Sequence, residues 1–370
     1  MKRKFRSFII MIFCITILLS GCGKGKEIKD LSIVDALGID IDENGIVNLT
    51  FQFYKAPIGD AQEEGKVEVY EASGETVQDA ILNAEVLGNK KVYMAHNNVI
   101  VVGSETAKKG FNKFIDTFER SRDIRENVLV TIADGKASEI MKSENERGEG
   151  GQNESLKKMI LNYKDNTRAY KITFLDICEY LTNKDRDFFI PVIKKSGGKD
   201  KNTIQTDGVA LFKEDKMVGQ MNEDDSFGLI FLRSKGTEGI VVIDNPFGQE
   251  GKISLDFIKT KSKIDIGKDK NTIKIKVECD GRVWESTASL KFTDLKTIDA
   301  LEKAFQDKMQ KMIEKSIKKS LFDADSDVLA IKDKLKDKNI DVKNLHNMTF
   351  EYDIKVDIVG YGLVANTISQ

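Results

Sequence analysis

Histidine is nearly absent from this chain of 370 residues, which has only His96 and His346. Neither stands at metal-ligand spacing from a second histidine or cysteine, so a histidine-built zinc centre and a histidine-driven acid–base pair have little to start from. His96 precedes Asn97-Asn98 between two expected strands and reads as a hydrogen-bonded turn residue. Cys-x-x-Cys, His-Glu-x-x-His and a nucleophile-elbow serine are missing. Gly197-Gly198-Lys199 lacks the upstream glycine and following Ser or Thr of a phosphate loop. The four cysteines include Cys14 and Cys22 near the N-terminus, leaving Cys178 and Cys279 far apart in the body. Both read as buried hydrophobic thiols. Three prolines, Pro57, Pro191 and Pro246, leave long elements uninterrupted. A surplus of positive charge is also lacking: the formal net charge is −2, which argues against nucleic acid.

Acidic residues are plentiful at 60, so adjacent pairs such as Asp224-Asp225 arise by chance and point to no site. The run Asp40-Ile41-Asp42-Glu43-Asn44-Gly45 brings a calcium loop to mind. The bidentate glutamate that should close such a loop is not there, and a solvated hairpin turn is the plainer reading. Catalytic residues, a metal and a cofactor are therefore all expected to be none.

The N-terminus is where the sequence speaks. Lys2, Arg3, Lys4 and Arg6 precede an apolar stretch over 8–19 broken only by Thr16, shorter than the roughly 20 residues a spanning helix needs. It ends in Leu19-Ser20-Gly21-Cys22, a close match to the bacterial lipobox. Small residues let the chain lie extended in a peptidase groove, and the Cys22 thiol is the nucleophile for diacylglyceryl transfer. Residues 1–21 are expected to be cleaved and residues 22–30 to form a lipidated tether. The alternative, an uncleaved anchor or a buried N-terminal helix with Cys22 as an ordinary thiol, must treat three features in the right order as coincidence. Cleavage removes four basic and no acidic residues and moves the charge from −2 to −6.

Beyond the tether, strands and helices alternate, and the pattern predicts an α+β protein of mixed sheets. Strands are expected over 31–41 and 46–54, with a short one over 67–70. A helix follows with Val77, Ala80, Ile81, Ala84 and Leu87 on its apolar side, Ser73 as its N-cap and Gly88 as its end. Strands at 92–94, 99–102 and 128–132 flank a helical stripe of Phe111, Phe114, Ile115 and Phe118. Helices over 154–163 and 170–182 precede a strand at 188–193. The lysine- and glycine-rich run 194–202 divides an N-terminal domain, 31–196, from a C-terminal domain, 203–370, which has room to subdivide and give three modules in all. The second half opens on a hairpin over 208–220. Strands are expected at 240–243, 253–258, 273–279 and 286–292. A long amphipathic helix follows, with Ile298, Leu301, Phe305, Met309, Met312 and Ile317 on one side. Lys303, Lys308, Lys311, Lys315 and Lys319 make its solvated side. The alternation of Phe350, Tyr352, Ile354, Val356 and Ile358 marks a last strand with one face buried.

Several of these segments together resemble a family. The opening strand Leu31-Ser32-Ile33-Val34 with Leu37-Gly38-Ile39-Asp40 is similar to that of the C subunits of spore germinant receptors, the Ger(x)C, or GerAC-like, lipoproteins. So are Val92-Tyr93-Met94-Ala95-His96-Asn97-Asn98-Val99-Ile100, Phe118-Glu119-Arg120 and Asp134-Gly135-Lys136-Ala137-Ser138-Glu139-Ile140. The hairpin Asp207-Gly208-Val209-Ala210-Leu211-Phe212-Lys213 completes the series, in order along nearly the whole chain. Two departures stand out. Gly23 replaces a tryptophan that often follows the lipidated cysteine, and Phe322-Asp323-Ala324-Asp325-Ser326-Asp327 replaces a Gly-Phe-Gly segment after the long helix.

The resemblance implies packed α+β modules, no catalytic residues, and two integral-membrane partners, the A and B subunits, in the spore inner membrane. The expected function is a non-enzymatic subunit needed for nutrient-triggered germination, held on the outer face of that membrane by lipid, palmitate included, on Cys22. The alternative is a free-standing surface lipoprotein that binds a ligand or acts on the cell wall. A deep apolar pocket or a cluster of shifted carboxylates would favour the alternative. A shallow surface with exposed apolar patches would favour the subunit.

Overall fold

The computed structural model describes residues 30–54, 67–120, 124–146, 155–162, 171–182, 186–196, 203–233 and 239–361. The leader, lipobox and most of the tether, with Leu19, Ser20, Gly21 and Cys22, lie outside them. The fold is α+β, built on two mixed sheets. The first has β1 (Leu31–Ile41), β2 (Val47–Tyr54), β3 (Val67–Gly74), β4 (Lys91–Tyr93), β5 (Val99–Gly103), β6 (Leu129–Ala133), β7 (Phe188–Lys195), β8 (Ile204–Lys213) and β9 (Lys216–Met221). Its order is β3-β2-β1-β5-β6-β7-β8-β9, with the short β4 alongside β1. The hairpins β1–β2 and β2–β3 are antiparallel, whereas β4, β5, β6 and β7 run parallel to β1. All those parallel strands start at the end of the sheet where the chain arrives from the tether.

Helices cover both faces of this sheet. On one face lie α1 (Val77–Gly88), α2 (Ser104–Lys109), a 3-10 turn (Phe111–Lys113), α3 (Ile115–Arg120) and, later in the chain, α6 (Phe174–Thr182). The other face takes α4 (Ala137–Glu146) and α5 (Ser155–Asn162). The predicted stripe of Phe111, Phe114, Ile115 and Phe118 is buried, but it is split between the 3-10 turn and α3. Phe212 of β8 stacks on Phe188 at 4.8 Å between centroids and meets Phe111 edge-on at 5.2 Å. Each fully buried ring of this kind contributes roughly 1.5–3 kcal/mol. The cap of α1 is Thr76 and not Ser73: its hydroxyl accepts from Asp79 N at 3.1 Å, while Ser73 still belongs to β3. Gly88 is the last helical residue, and Asn89 takes the left-handed cap with φ 47°.

The hairpin β8–β9 extends the first sheet, so strands on both sides of the run 194–202 are joined by the β7–β8 pairing. The second sheet follows as β10 (Gly239–Asp244), β11 (Lys252–Ile266), β12 (Thr272–Ser286) and β13 (Thr349–Tyr361), in that order. The predicted strand over 286–292 is not formed, because β12 ends at Ser286. Ala288, Leu290 and Phe292 are buried alternately as they fold over the end of the sheet, which mimics strand periodicity without a ladder. The return strand β13 lies parallel to β12 and presents Val356 to the core.

Two helices fill the space between the sheets. One is α7 (Glu223–Arg233), and the other is the long α8 (Leu295–Ile317), which continues through a π-helical turn (Lys318–Asp323). The buried side of α8 is Leu301, Phe305, Met309, Ile313 and Ile317, with Met312 at the margin. A short α9 (Ile331–Asp337) then packs on β11 before β13. Among the described residues, no helix is long and apolar enough to cross a membrane.

Candidate functional site

Several segments that carry the family resemblance make close contacts between strand and helix or within a hairpin. Gly38 sits under α4, and a Cβ there would meet Met141 Cγ at 3.0 Å. Two residues on, the Asp40 carboxylate accepts from Ala137 N and Ser138 N, both at 3.0 Å, and so caps α4. The motifs at 37–40 and 134–140 are thus one joint between strand and helix. Gly208 has φ +78°, and a Cβ would fall 2.1 Å from Met221 O, so this position of the hairpin demands glycine. Asp42 accepts from Asn44 N and Ile46 N, each at 2.9 Å, which makes the acidic turn an ordinary hydrogen-bonded hairpin.

The segment 94–98 links β4 to β5 at the tether end. Asn98 donates to the buried Asp35 carboxylate at 2.6 Å, and Tyr54 Oη donates to the same oxygen at 2.7 Å. Lys157 of α5 donates to Asn98 Oδ1 at 3.0 Å. His96 is exposed beside this network, 3.3 Å from Arg125 Nη2 and near the Tyr93 ring. It is a turn residue with polar company.

A second cluster joins the two sheets through the segment that departs from the family pattern. Lys213 pairs with Asp325, the Ser326 hydroxyl donates to Phe212 O at 2.7 Å, and Arg186 bridges to Asp333 at 2.8 Å. Asp187 accepts from Asp327 N at 2.6 Å and from Glu214 N at 3.4 Å. Asp327 in turn accepts from Ile331 N and Lys332 N at the start of α9. Burial pushes both carboxyls up, and that of Asp327 reaches about 6. These are shifted carboxylates, and backbone N–H groups donate to both.

Nearby, Asp225 of α7 is almost fully buried and pairs with Lys315 at 2.5 Å and with Lys319. Burial alone would raise its carboxyl; the two lysines outweigh that and hold it below the usual range. Two members of the predicted solvated lysine face are therefore tied to α7, and one member of a supposedly chance acidic pair is their partner.

The fold's linkage to pH follows from Asp327. Its folded carboxyl titrates near 6, above the ordinary aspartate value of about 3.9, so the fold prefers the protonated form. That contribution is complete below pH 4 and is lost as the pH rises through 6, by about 2–3 kcal/mol. Asp187, shifted in the same direction, and Lys332, which opposes the shift, set what remains. Asp327→Asn should flatten this slope. Urea unfolding from pH 4 to 7 checks it, and a variant that keeps the full wild-type slope would refute it.

Free thiols are found at Cys178, half-buried, and Cys279, buried, and burial pushes both up to about 12. Among the described residues, no group of His, Cys, Asp and Glu could hold a metal. An open groove of about 640 Å³ runs by the end of α7, where Arg233, Lys261, Lys263 and Lys276 surround Leu232. Its cations are partly spent: Lys263 pairs with Asp265, and Lys276 with Glu278. Among the described residues, exposed apolar side chains include two groups. One lies on the outer face of the second sheet, where Ile240, Val242, Ile258 and Val359 are exposed with Trp284, and Arg282 stacks 5.7 Å over the indole. The other is Leu82, Val86 and Leu87 on α1.

Together these features define an α+β scaffold of close-packed joints with exposed apolar side chains. The chain is similar in fold to the crystal structure of the GerBC protein, with a TM-score of 0.56, 19% identity and coverage of 87% of this chain and 96% of that one. The pattern described as spore germination protein N-terminal domain matches residues 24–195, and that described as spore germination B3/GerAC like, C-terminal, matches residues 207–362. The chain belongs to the GerAC-like spore germination protein family, and with it to spore germination. Relatives include spore germination protein GerQC of Bacillus cereus, 24% identical over 84% of this chain and 86% of that protein. Spore germination protein KC of Bacillus subtilis (strain 168) is 26% identical over 86% of this chain and 84% of its own length. Spore germination protein B3 of the same organism is 22% identical over 96% and 98%.

Proposed function

We propose that this chain is the lipid-anchored C subunit of a germinant receptor in the spore inner membrane, non-catalytic and partnered by integral-membrane A and B subunits. The observation that carries the reading is positional: the family match begins at residue 24, two residues after the lipobox cysteine Cys22, and runs on to residue 362. Lipid on Cys22 holds the body at the outer face, which turns its meeting with membrane partners into an encounter at raised effective concentration. The body then acts through surface contact. The two pattern matches also support a division into folding units at 31–196 and 203–370, joined by the shared sheet. Affinity purification from detergent-solubilised spore membranes tests the assembly. Two multi-spanning proteins should co-elute with the tagged chain. Elution of the chain alone, or with wall polymer, would overturn the reading.

A further inference from the structure

The exposed apolar residues of α1 stand in a particular place. Because β1–β2 and β2–β3 are antiparallel and β4 runs parallel to β1, the helix between β3 and β4 must descend toward the end where β1 starts. It ends at Gly88, and Lys91 already pairs with Leu31, the first residue of β1. The last turn of α1 therefore lies beside the point where the tether enters the body.

The helix has two apolar sides. Val77, Ala80 and Ala84 face the core. At about 100° per residue, Leu82 and Val86 stand roughly opposite Ala80 and Ala84. Leu82 is 49% exposed, Val86 79% and Leu87 69%. Leu82 and Val86 lie one turn apart on the outer side. Leu87, expected on the core side, is exposed instead at the end of the helix, about 100° round from Val86. One such aliphatic residue needs no explanation, but three do. Lys90 and Lys91 are exposed just beyond them. The tether sequence adds Lys24, Lys26 and Lys29, against the acids Glu27 and Asp30.

We infer that the C-terminal end of α1 beds into the membrane surface beside the anchor, with Leu82, Val86 and Leu87 entering the headgroup region and the lysines meeting anionic lipid. The inference rests on Cys22 carrying lipid. Residues 23–30 then span at most about 3.3–3.6 Å each, which keeps the base of β1 within roughly 30 Å of the bilayer. A tether of that length lets this end of the body, and not the far end, reach the surface. Leu82 lies about 6 Å along the helix axis from Val86, within the roughly 5–10 Å depth over which apolar side chains bury at an interface. Juxtamembrane lysines such as Lys90 and Lys91 are drawn to an anionic surface. A few apolar side chains and lysines are too weak to hold a protein alone, but they are enough to orient one already tethered.

The test uses the full lipidated protein in vesicles of phosphatidylcholine and phosphatidylglycerol, without other proteins. A fluorophore is placed at Val86→Cys or, as the distal control, at Asn44→Cys in the turn at the opposite end of β1, both in a Cys178→Ser background. Nitroxide-bearing lipids should quench the label at 86 several-fold more strongly than the label at 44. Lys90→Glu with Lys91→Glu should reduce that difference. Equal weak quenching in protein that floats with the vesicles would overturn the inference and leave the anchor standing. Protein that fails to float would overturn the anchor and this inference with it. Quenching at 86 that arises only when integral subunits are added would assign the patch to protein contact and refute the lipid.

Discussion

Cys22→Ala should strip the protein of palmitate and leave it uncut or released from the membrane. On the proposed reading, the signal-peptide cut and the acyl transfer both depend on that side chain, since its thiol would be the acceptor for diacylglyceryl transfer and no second cysteine stands next to it in 19–24. Each buried methylene contributes about 0.8 kcal/mol, and stable attachment takes two signals. Removing all the chains therefore removes the main source of membrane affinity at once. On that reading, only weak contacts of the kind proposed for the end of α1 and for partner proteins would remain to hold the body. Fractionation of spore membranes with palmitate labelling reads the result. The labelled band should vanish and the membrane-bound fraction should fall several-fold. Undiminished label would end the lipobox reading.

The lipobox reading rests on a linear pattern of basic residues, an apolar run and a four-residue box, and it lies outside the described residues. Pattern also served for elements that present one face to the core. The alternation at Ile273, Ile275, Val277 and Cys279 is buried residue by residue in β12, and the stripe of α8 from Leu301 to Ile317 lines the core. What stayed hidden was whatever the fold buries on all sides. The helix α7 runs Glu-Asp-Asp-Ser-Phe-Gly-Leu-Ile-Phe-Leu-Arg, and Gly228, Leu229, Ile230, Phe231 and Leu232 are all buried between two sheets. A helix apolar all round has no 3.6-residue signal, and an internal glycine reads as a break. Helix α4 hid for the opposite reason: its start is fixed by Asp40, about a hundred residues upstream, which no local pattern reveals. Asp225 was one acid among 60 until α7 placed it against Lys315 and Lys319. Nor could the sequence show that β13 returns parallel to β12, because register comes from packing across the intervening helices.

Replacing the glycine inside α7 should cost more stability than any other single methyl added to the described helices' glycines. On an isolated helix, Gly→Ala is favourable by about 1 kcal/mol. At Gly228 the added carbon would sit 2.6 Å from Met312 O, 2.7 Å from Ile313 Cα and 2.7 Å from Ser316 Oγ. Two of those atoms are backbone of α8 and cannot swing away, so the helices must part. Parting loosens the hydrogen bond from Ser316 Oγ to Asp225 O, 2.5 Å long, and the Asp225 pairs with Lys315 and Lys319. Overpacking of this kind costs about 1–3 kcal/mol beyond the helix gain, and Gly228→Leu should cost enough to prevent accumulation of folded protein. Gly88 supplies the control: it ends α1 with nothing within 4 Å of an added methyl, so Gly88→Ala should be neutral or slightly stabilising. Urea unfolding of both variants in detergent measures the difference. A Gly228→Ala protein as stable as Gly88→Ala would mean that α7 and α8 do not cross in contact at this glycine, and that the joint between the two sheets is built another way.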